Sequence, residues 1–270
     1  MIIICHTEPG YSNQLFQHVF AWAYAKENKR LFFNASGVSW WKYYRGGRPI
    51  LLLLFSLLSS YRYKIPLAVQ RIFKMGFVSL DSYETMNDKF QQLANYNLVF
   101  LSGWFLRVPL EKHRERLKAK FALRKKYYSK NRLVNHVKTL KEEGFILVGV
   151  HIRRGDYRNY EDGKYYYDFT VYMDKVRELR SLLSTDKVKF VLFSNESIPD
   201  HLKTQDILIS QEEWFIDHYL MSNCDYLLGP PSTFTIWASF MGGAKLCLLH
   251  DPNRPIIFTD FQEYINPLCY

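Results

Sequence analysis

The sequence predicts an α/β fold, and three observations support this prediction. First, the apolar run Met1–Cys5 is followed by a polar loop and then by apolar residues at helical spacing between Leu15 and Glu27. That strand–loop–helix order is typical of the start of an α/β domain. Second, Phe145–Val150 is a nearly continuous apolar run, as in a buried parallel strand. Third, strand-like runs and helical patterns alternate from there to the end of the chain.

The remaining elements follow from the same patterns. Strands are also predicted at Leu31–Phe33, Asn97–Leu101, Lys189–Phe193, Tyr226–Leu228 and Leu246–Leu249. Helices are predicted within the basic stretch Glu111–Lys141 and at Asp174–Leu183, Gln211–Cys224 and Thr233–Gly242. No internal repeat is evident, which argues against a solenoid.

Charge divides the chain into two halves of different character. The 270 residues carry 36 Lys and Arg against 26 Asp and Glu, a net charge of +10. Residues 1–144 hold 24 basic and 9 acidic residues, a balance of +15, whereas residues 145–270 hold 12 and 17, a balance of −5. Because charge and pattern both change at Glu142-Glu143-Gly144, we predict an N-terminal domain over residues 1–143 and a C-terminal domain over residues 144–270.

The composition argues against several classes of protein. Hydrophobic residues make up 48% of the chain, which excludes a disordered protein. The four cysteines lie far apart, so neither a zinc module nor a disulfide scaffold is expected, and a reducing compartment is favoured. We see no signal peptide and no apolar run of the roughly 20 residues that span a bilayer, which predicts a cytoplasmic protein. The absence of zinc-finger spacing and of a ribonucleoprotein-type motif argues against a nucleic-acid partner.

Two stretches suggest contact with an anionic membrane surface. Residues 40–78 combine Trp, Tyr, Leu and basic residues, and residues 107–141 hold 13 Lys and Arg against two Glu. Aromatic, apolar and basic side chains together are typical of interfacial segments, which predicts a protein peripheral to the cytosolic face of a membrane. Buried helices with a solvated basic rim would give the same pattern, so both interpretations stay open.

The run His151-Ile152-Arg153-Arg154-Gly155-Asp156-Tyr157 directly follows the predicted strand Phe145–Val150. In open α/β sheets, ligands bind beyond the carboxyl ends of the strands. Two arginines there favour an anionic ligand, because the guanidinium fork matches phosphate oxygens and keeps its charge. Asp156 could hold one guanidinium while Arg153 meets a pyrophosphate. The alternative is a pair of surface arginines that bracket a turn.

Two further loops offer groups suited to a phosphate or a sugar. Gly229-Pro230-Pro231-Ser232-Thr233-Phe234-Thr235 lies between a predicted strand and a predicted helix, where hydroxyl and backbone N–H groups can bind phosphate. Pro9-Gly10-Tyr11-Ser12-Asn13-Gln14 connects the first strand to the first helix. Taken alone, each loop is more simply explained as a helix cap. No GxxxxGK[ST], GxSxG or DxD motif is present, which favours a site without a metal ion.

In this order and spacing, the three features resemble the GDP-fucose-using fucosyltransferases, most of all the bacterial α-1,2-fucosyltransferases of glycosyltransferase family 11. The run from Gly10 to Gln17 resembles the family's GLGNQ-F-Q loop and helix, and His151–Tyr157 matches HxRRGDY, the most specific motif. Phe193-Ser194-Asn195-Glu196 resembles the FSDD turn, Asp217–Cys224 the D-x-x-LMS-x-C helix, and Pro231–Trp237 the NSTFSWW loop. The resemblance extends over nearly the whole chain.

The resemblance implies a GT-B-like fold with two Rossmann-like halves facing a cleft. It also implies inverting transfer of L-fucose from GDP-fucose to a glycan hydroxyl, in an α-1,2 linkage, without a metal ion or other cofactor. The C-terminal half would bind the nucleotide-sugar donor. The N-terminal half would take the acceptor, a glycan or a lipid-linked oligosaccharide in polysaccharide biosynthesis.

The same resemblance assigns roles to individual residues. Arg153 would bind the β-phosphate and stabilise departing GDP, with Asn13 beside the sugar or phosphate. Asp156 would be an arginine partner or the general base, for which Glu8 is a second candidate by its position. His151 and Asp217 would lie near guanine, with Asp217 accepting from N1 and N2. The other residues assigned to the substrate site are Gly10, Gln14, Arg154, Ser232, Thr233 and Phe234.

The chain departs from the family pattern at several of these positions. Ser12 stands where the family has glycine, Asn195-Glu196 replace two aspartates, and Pro231 replaces the asparagine before Ser232. Two alternatives are therefore kept. One is transfer of another sugar from a GDP-sugar, and the other is a non-catalytic, membrane-associated protein that binds a GDP-sugar.

Overall fold

The structure is a computed structural model that describes residues 1–4, 10–35, 40–46, 57, 61, 64–80, 89, 91–103 and 108–264. Internal contacts divide the chain into two compact units, one over Met1–Ala122 and one that begins at Leu123. Each unit contains its own parallel β-sheet and helices, so the predicted α/β class is confirmed.

The first unit is built on a parallel sheet of four described strands. These are β1 (Ile2–Ile4), β2 (Phe32–Asn34), β3 (Met75–Leu80) and β4 (Leu98–Gly103), in the spatial order β2-β1-β4-β3. Its described α-helices are α1 (Tyr11–Glu27), α2 (Leu67–Ile72) and α3 (Arg114–Lys120). Strands β2 and β4 correspond to predicted strands, whereas the sequence pattern does not predict β3, in which Gly76 and Ser79 interrupt the apolar residues.

Helix α1 lies in the core of the first unit and is apolar on nearly all sides. Leu15, Phe16, Val19 and Phe20 are fully buried. The neighbouring His18 is buried too, and burial lowers its pKa well below the ordinary value, so its imidazole is neutral. The rings of Phe32, Trp40, Trp41 and Phe121 surround this imidazole at centroid distances of 4.8–5.6 Å.

The second unit contains a five-stranded parallel sheet. Its strands are β5 (Ile146–Ile152), β6 (Val188–Ser194), β7 (Ile207–Ile209), β8 (Tyr226–Gly229) and β9 (Lys245–Leu248), in the order β7-β6-β5-β8-β9. Its α-helices are α4 (Lys125–Tyr128), α5 (Arg132–Glu142), α6 (Phe169–Leu183), α7 (Trp214–Ser222) and α8 (Thr233–Gly242). This is the 3-2-1-4-5 order of a Rossmann-like sheet, which reverses between β5 and β8 and binds ligands at that reversal.

The elements predicted for the second half agree with the structure. Helix α8 has the predicted bounds, and β5, β6, β8 and β9 lie within two residues of the predicted strands. Helix α6 begins at Phe169, before the predicted Asp174, and α7 is shorter at both ends than Gln211–Cys224. Strand β7, of three residues, is not among the strands that the sequence pattern predicts. Among the described helices, none combines the length and the apolar character needed to cross a membrane.

The basic helices predicted within Glu111–Lys141 are shared between the two units. Helix α3 falls in the first unit, whereas α4 and α5 fall in the second. Helix α5 buries Val134, Val137 and Leu140 and packs against β5. The division at Ala122 therefore comes earlier than the change of charge at residues 143–144. The change of charge reflects the solvated faces of these helices, while the buried faces determine to which unit each helix belongs.

Two glycines allow the strands at the reversal to approach closely. A Cβ atom on Gly229 would lie 2.9 Å from the carbonyl oxygen of His151, and one on Gly149 would lie 2.7 Å from Cδ2 of Leu227. A larger side chain at either position would push β5 and β8 apart. These glycines therefore set the distance between the two strand ends from which the His151 and Ser232 segments begin.

We expect Asn131→Ala to lower the free energy of unfolding by about 1–2 kcal/mol, or roughly 2–4 °C in Tm for each kcal/mol. Asn131 caps α5 through a 2.9 Å hydrogen bond from the Val134 N–H to Oδ1, and its Nδ2 donates to Glu212 at 2.7 Å. Asn131→Ser keeps a capping oxygen and should recover part of the loss. Thermal melts followed by circular dichroism measure both, and an unchanged Tm in Asn131→Ala would contradict the assigned cap.

Candidate functional site

A cavity of about 320 Å³ lies at the carboxyl end of β5, beside β6 and the first turns of α7 and α8, and is called the strand-end cavity below. It is lined by His151, Arg153, Phe193, Ser194, Asn195, Glu212, Glu213, Trp214, Asp217 and Phe234. Four of these, His151, Arg153, Asp217 and Phe234, are among the site residues predicted from the sequence. The fold thus brings together segments that are more than 80 residues apart in the chain, at the edge where such sheets bind ligands.

Arg153 presents a partly buried guanidinium to the strand-end cavity. Its Nη2 donates to Asp156 at 2.7 Å, and the guanidinium lies over the Tyr157 ring at 5.5 Å from the centroid. Its Nε is buried and has no hydrogen-bond partner among the residues that the structure describes. A buried cationic N–H without a partner is unfavourable, so this atom is suited to an anionic acceptor that enters the cavity.

The adjacent Arg154 is bonded to protein groups instead and does not line the cavity. Its guanidinium donates to Glu196 Oε2 at 3.0 Å, Asp168 Oδ1 at 3.0 Å, the Tyr167 carbonyl at 2.8 Å and the Tyr166 hydroxyl at 2.6 Å. It also stacks on the ring of Tyr166. This arrangement fixes the segment after β5 and leaves Arg153 as the arginine that faces the cavity.

The turn after β5 is bonded to the end of β6 by Asn195 and Glu196, two of the residues that depart from the family pattern. Asn195 Oδ1 accepts from the Arg154 N–H at 2.9 Å, and Glu196 Oε1 accepts from the Gly155 N–H at 2.9 Å. Gly155 has a φ of +46°, and a Cβ there would lie 2.6 Å from Asn195 Nδ2. Asn195 Nδ2 also donates to Asp156 at 3.2 Å. Asp156 therefore joins Arg153 to this turn.

Aromatic stacking forms one wall of the cavity. The Phe234 ring lies between two buried imidazoles, at centroid distances of 5.2 Å from His151 and 3.9 Å from His218. Burial lowers the pKa of His151 well below its ordinary value, with Arg153 and His218 adding to the effect, and burial lowers the pKa of His218 to about 3. Both imidazoles are therefore neutral near pH 7, and His151 Nδ1 has no hydrogen-bond partner among the described residues.

Asp217 contributes a buried carboxyl group from α7. Burial raises its pKa to about 7, opposed by the hydrogen bond that Ser210 Oγ donates at 2.5 Å and reinforced by the nearby carboxylates of Glu212 and Glu213. A carboxyl with this pKa exchanges its proton readily near neutral pH. The sequence does not single out Glu213, although it precedes Asp217 by one helical turn, which places the two on one face.

The other predicted residues lie at helix starts. Ser232 is the N-cap of α8, accepts from the Phe234 N–H at 3.2 Å, and precedes Thr233. Because Phe234 lines the cavity from the first turn of α8, the positive end of that helix faces it. The hydroxyl of the buried Tyr157 donates to the Pro231 carbonyl, which joins the segments after β5 and β8.

The predicted residues of the first unit lie at the start of α1. Gly10, with a φ of +84°, precedes the helix, and Asn13 and Gln14 are in its first turn. Gln14 Oε1 accepts from Trp40 Nε1 at 2.9 Å. Glu8 lies outside the described residues. The roles predicted for these residues toward a sugar or acceptor stay predictions.

The described part of the chain contains no group of three His, Cys, Asp or Glu side chains that could hold a metal ion. Reaction without a metal ion stays a prediction from the sequence.

A sequence model of the family described as Glycosyl transferase family 11 matches residues 78–256, which is more than half of the chain. The chain belongs to glycosyl transferase family 11. This result confirms the family that the sequence motifs indicate and identifies the chain as a glycosyltransferase. No curated protein matches the chain significantly.

Solved structures similar to this glycosyltransferase confirm the GT-B-like fold class. NodZ alpha-1,6-fucosyltransferase co-crystallized with GDP has a TM-score of 0.56 at 16% identity, over 88% of this chain and 91% of that chain. A mutant of Arabidopsis thaliana FUT1 in complex with GDP has a TM-score of 0.60 at 15% identity, and the match covers 96% of this chain and 72% of that chain. Fucosyltransferase NodZ from Bradyrhizobium has a TM-score of 0.57 at 18% identity, and the match covers 88% of this chain and 92% of that chain.

We expect Asp217→Asn to stabilise the protein at pH 8 and to leave its stability nearly unchanged at pH 3, below the unfolded pKa of the carboxyl. A carboxyl whose pKa is raised from 3.8 to about 7 on folding destabilises the folded state as pH rises above its unfolded pKa, and this cost levels off above about pH 7. The asparagine amide removes a cost of roughly 2–4 kcal/mol. Thermal melts at several pH values measure the difference.

Asp186→Asn is the matched control, because Asp186 is an exposed carboxyl and should give no such pH-dependent gain. A lower Tm for Asp217→Asn than for the wild type at pH 8 would show that the Asp217 carboxylate is stabilising in the folded state, contrary to this account.

Proposed function

We propose that this glycosyltransferase transfers L-fucose from GDP-fucose to a glycan hydroxyl, with inversion, in an α-1,2 linkage and without a metal ion. The observation that supports this best is the strand-end cavity, in which Arg153 offers a guanidinium to a diphosphate and Asp217 offers a buried carboxyl to a guanine base. The similar solved NodZ and FUT1 structures hold GDP. The likeness of fold makes GDP the natural candidate here.

The diphosphate is assigned to Arg153 and the start of α8. A phosphate oxygen at Arg153 Nε would give this buried donor the acceptor that the described residues do not supply. Asp156 keeps the guanidinium in place through Nη2 at 2.7 Å. The positive end of α8 adds favourable charge beside the same cavity. An arginine held in this way needs little reorganisation when charge develops on the phosphate.

The base is assigned to Asp217. Guanine carries two adjacent donors, N1–H and the exocyclic N2 amino group, and an ionised carboxylate can accept from both. Adenine has an acceptor at N1, so the same carboxylate disfavours it. Burial raises the pKa of Asp217, and donors from a base would stabilise its ionised form. The other titratable groups that line the cavity are Glu212, Glu213, His151 and Arg153.

The chemistry follows from the charge of the leaving group. The bond between the anomeric carbon and the β-phosphate oxygen breaks, and the electron pair stays on GDP. Arg153 stabilises that developing charge, while the acceptor oxygen attacks the opposite face of the sugar and releases its proton to a base. Asp156 is bonded to Arg153 and Asn195, which supports its role as an arginine partner. Asn13, Gln14 and Gly10 are proposed to serve the sugar or acceptor side.

We expect Arg153→Ala to reduce transfer by on the order of 10²–10³, because a preorganised donor to the leaving group is lost. Arg153→Lys keeps the charge without the guanidinium fork, so its rate of transfer should lie between those of the wild type and Arg153→Ala. The measurement is the initial rate of GDP release from GDP-fucose, in EDTA, with a panel of oligosaccharide acceptors and with water alone.

Arg158→Ala is the matched control, because Arg158 is an exposed arginine five residues away that does not line the cavity. It should leave the rate unchanged. Full activity in Arg153→Ala would contradict the proposed function. Release of GDP from GDP-mannose but not from GDP-fucose would replace the proposed sugar, and GDP binding without turnover on any acceptor would support the non-catalytic alternative.

A further inference from the structure

The first unit has an exposed surface that is both apolar and basic and that the proposed transfer reaction does not use. It consists of α2 and the turns on either side of it, and it is called the α2 patch. Its members are the apolar Tyr61, Leu67, Ile72 and Phe73 and the basic Lys64, Arg71 and Lys74.

The apolar side chains of the α2 patch face solvent to an unusual degree. Leu67, Ile72 and Phe73 are 69%, 75% and 61% exposed, and none of the residues of α2 is buried. A helix on the surface of a globular protein normally buries an apolar stripe against the core. Several large apolar side chains exposed on one short segment are typical of an interaction site.

The patch is attached to the sheet of the first unit. Gln70 Nε2 donates to the Ile65 carbonyl at 2.7 Å, which closes the turn that leads into α2. After the helix, the Lys74 carbonyl accepts from the Asn97 N–H at 2.9 Å, immediately before β3 begins. The segment that follows α2 is therefore bonded to the residue before β4, which holds the patch beside the sheet of the first unit.

The charge around the patch is of one sign. Residues 28–80 contain nine Lys and Arg and no Asp or Glu. In the part of the chain that the structure describes, no carboxylate forms an ion pair with Lys64, Arg71 or Lys74. A stretch of 53 residues without an acidic side chain is complementary to an extended anionic surface, and long basic side chains beside apolar ones are typical of segments that lie in the headgroup region.

We propose that the α2 patch binds the surface of a membrane that contains anionic phospholipids. Leu67, Ile72 and Phe73 enter the boundary between headgroups and acyl chains, while Lys64, Arg71 and Lys74 face lipid phosphates. The apolar members distinguish this partner from a dissolved polyanion, which would leave them in water. The inference does not depend on the identity of the sugar donor.

The test is sedimentation of the full chain with sucrose-loaded vesicles of phosphatidylglycerol and phosphatidylethanolamine, compared with vesicles of phosphatidylcholine alone. Wild type should sediment with the anionic vesicles only, and less so when NaCl is raised from 0.1 to 0.5 M. Lys64→Glu with Arg71→Glu should weaken binding at least about 25-fold, at about fivefold for each cation removed. Ile72→Ser with Phe73→Ser should weaken it about tenfold or more.

The matched control is Lys203→Glu with Lys245→Glu, which makes the same change of charge at two exposed lysines of the second unit, outside both basic stretches. This pair should bind the anionic vesicles like the wild type. The Tm of each variant shows whether it is folded. If Ile72→Ser with Phe73→Ser is unstable, the binding of Lys64→Glu with Arg71→Glu is the result that tests the inference. Wild type that ignores both vesicles, binds both equally, or sediments without vesicles would overturn the inference. Equal losses in the control and the patch pairs would overturn it as well.

Discussion

The hydrogen bonds of Arg154 fix the segment after β5 that presents Arg153 to the strand-end cavity. One guanidinium ties the segment after β5 to Glu196 at the end of β6 and to Asp168 at the start of α6. Four bonds from a rigid fork leave this side chain little freedom, and charge-assisted bonds of this kind are the strong ones. Because its neighbour is fixed, Arg153 faces the cavity with one donor bonded to Asp156 and another, Nε, that is buried and has no partner among the described residues. Two adjacent arginines thus have different tasks.

The cavity also retains groups that burial disfavours. Asp217 has a pKa raised to about 7, and the buried imidazole of His151 has no hydrogen-bond partner at Nδ1 among the described residues. Neither arrangement favours the folded state by itself, which is the usual condition of groups that meet a ligand. The hydrogen bond from Ser210 and the stacking of Phe234 between two imidazoles hold these side chains in position. These groups lower the stability of the folded state, which fits the binding of a ligand proposed for the cavity.

Much of the second unit could be predicted from the sequence, and less of the first. The apolar runs at β5 and β8 predict buried parallel strands, and the motif after β5 predicts Arg153 at the carboxyl end. The sequence also assigned Arg154 to the substrate site and could not show that its guanidinium is bonded instead to Glu196 and Asp168, which are distant in the chain. The change of charge lies after the division between the units, because the basic helices α4 and α5 pack within the second unit, α5 against β5 and Tyr128 of α4 against Tyr219 of α7. Strand β3 is missing from the prediction because its pattern is broken by small residues.

The central claim is that the strand-end cavity binds a guanine nucleotide, with Arg153 at the diphosphate and Asp217 at the base. Calorimetric titration with GDP and with inosine diphosphate, which lacks the exocyclic amino group, tests it most directly. The wild type should prefer GDP by about 10–100-fold, the value of one charge-assisted hydrogen bond. Arg153→Ala should weaken both nucleotides equally and keep that ratio, whereas Asp217→Asn should bring the ratio close to one. A preference for GDP that survives in Asp217→Asn, or equal affinity for both in the wild type, would contradict the account.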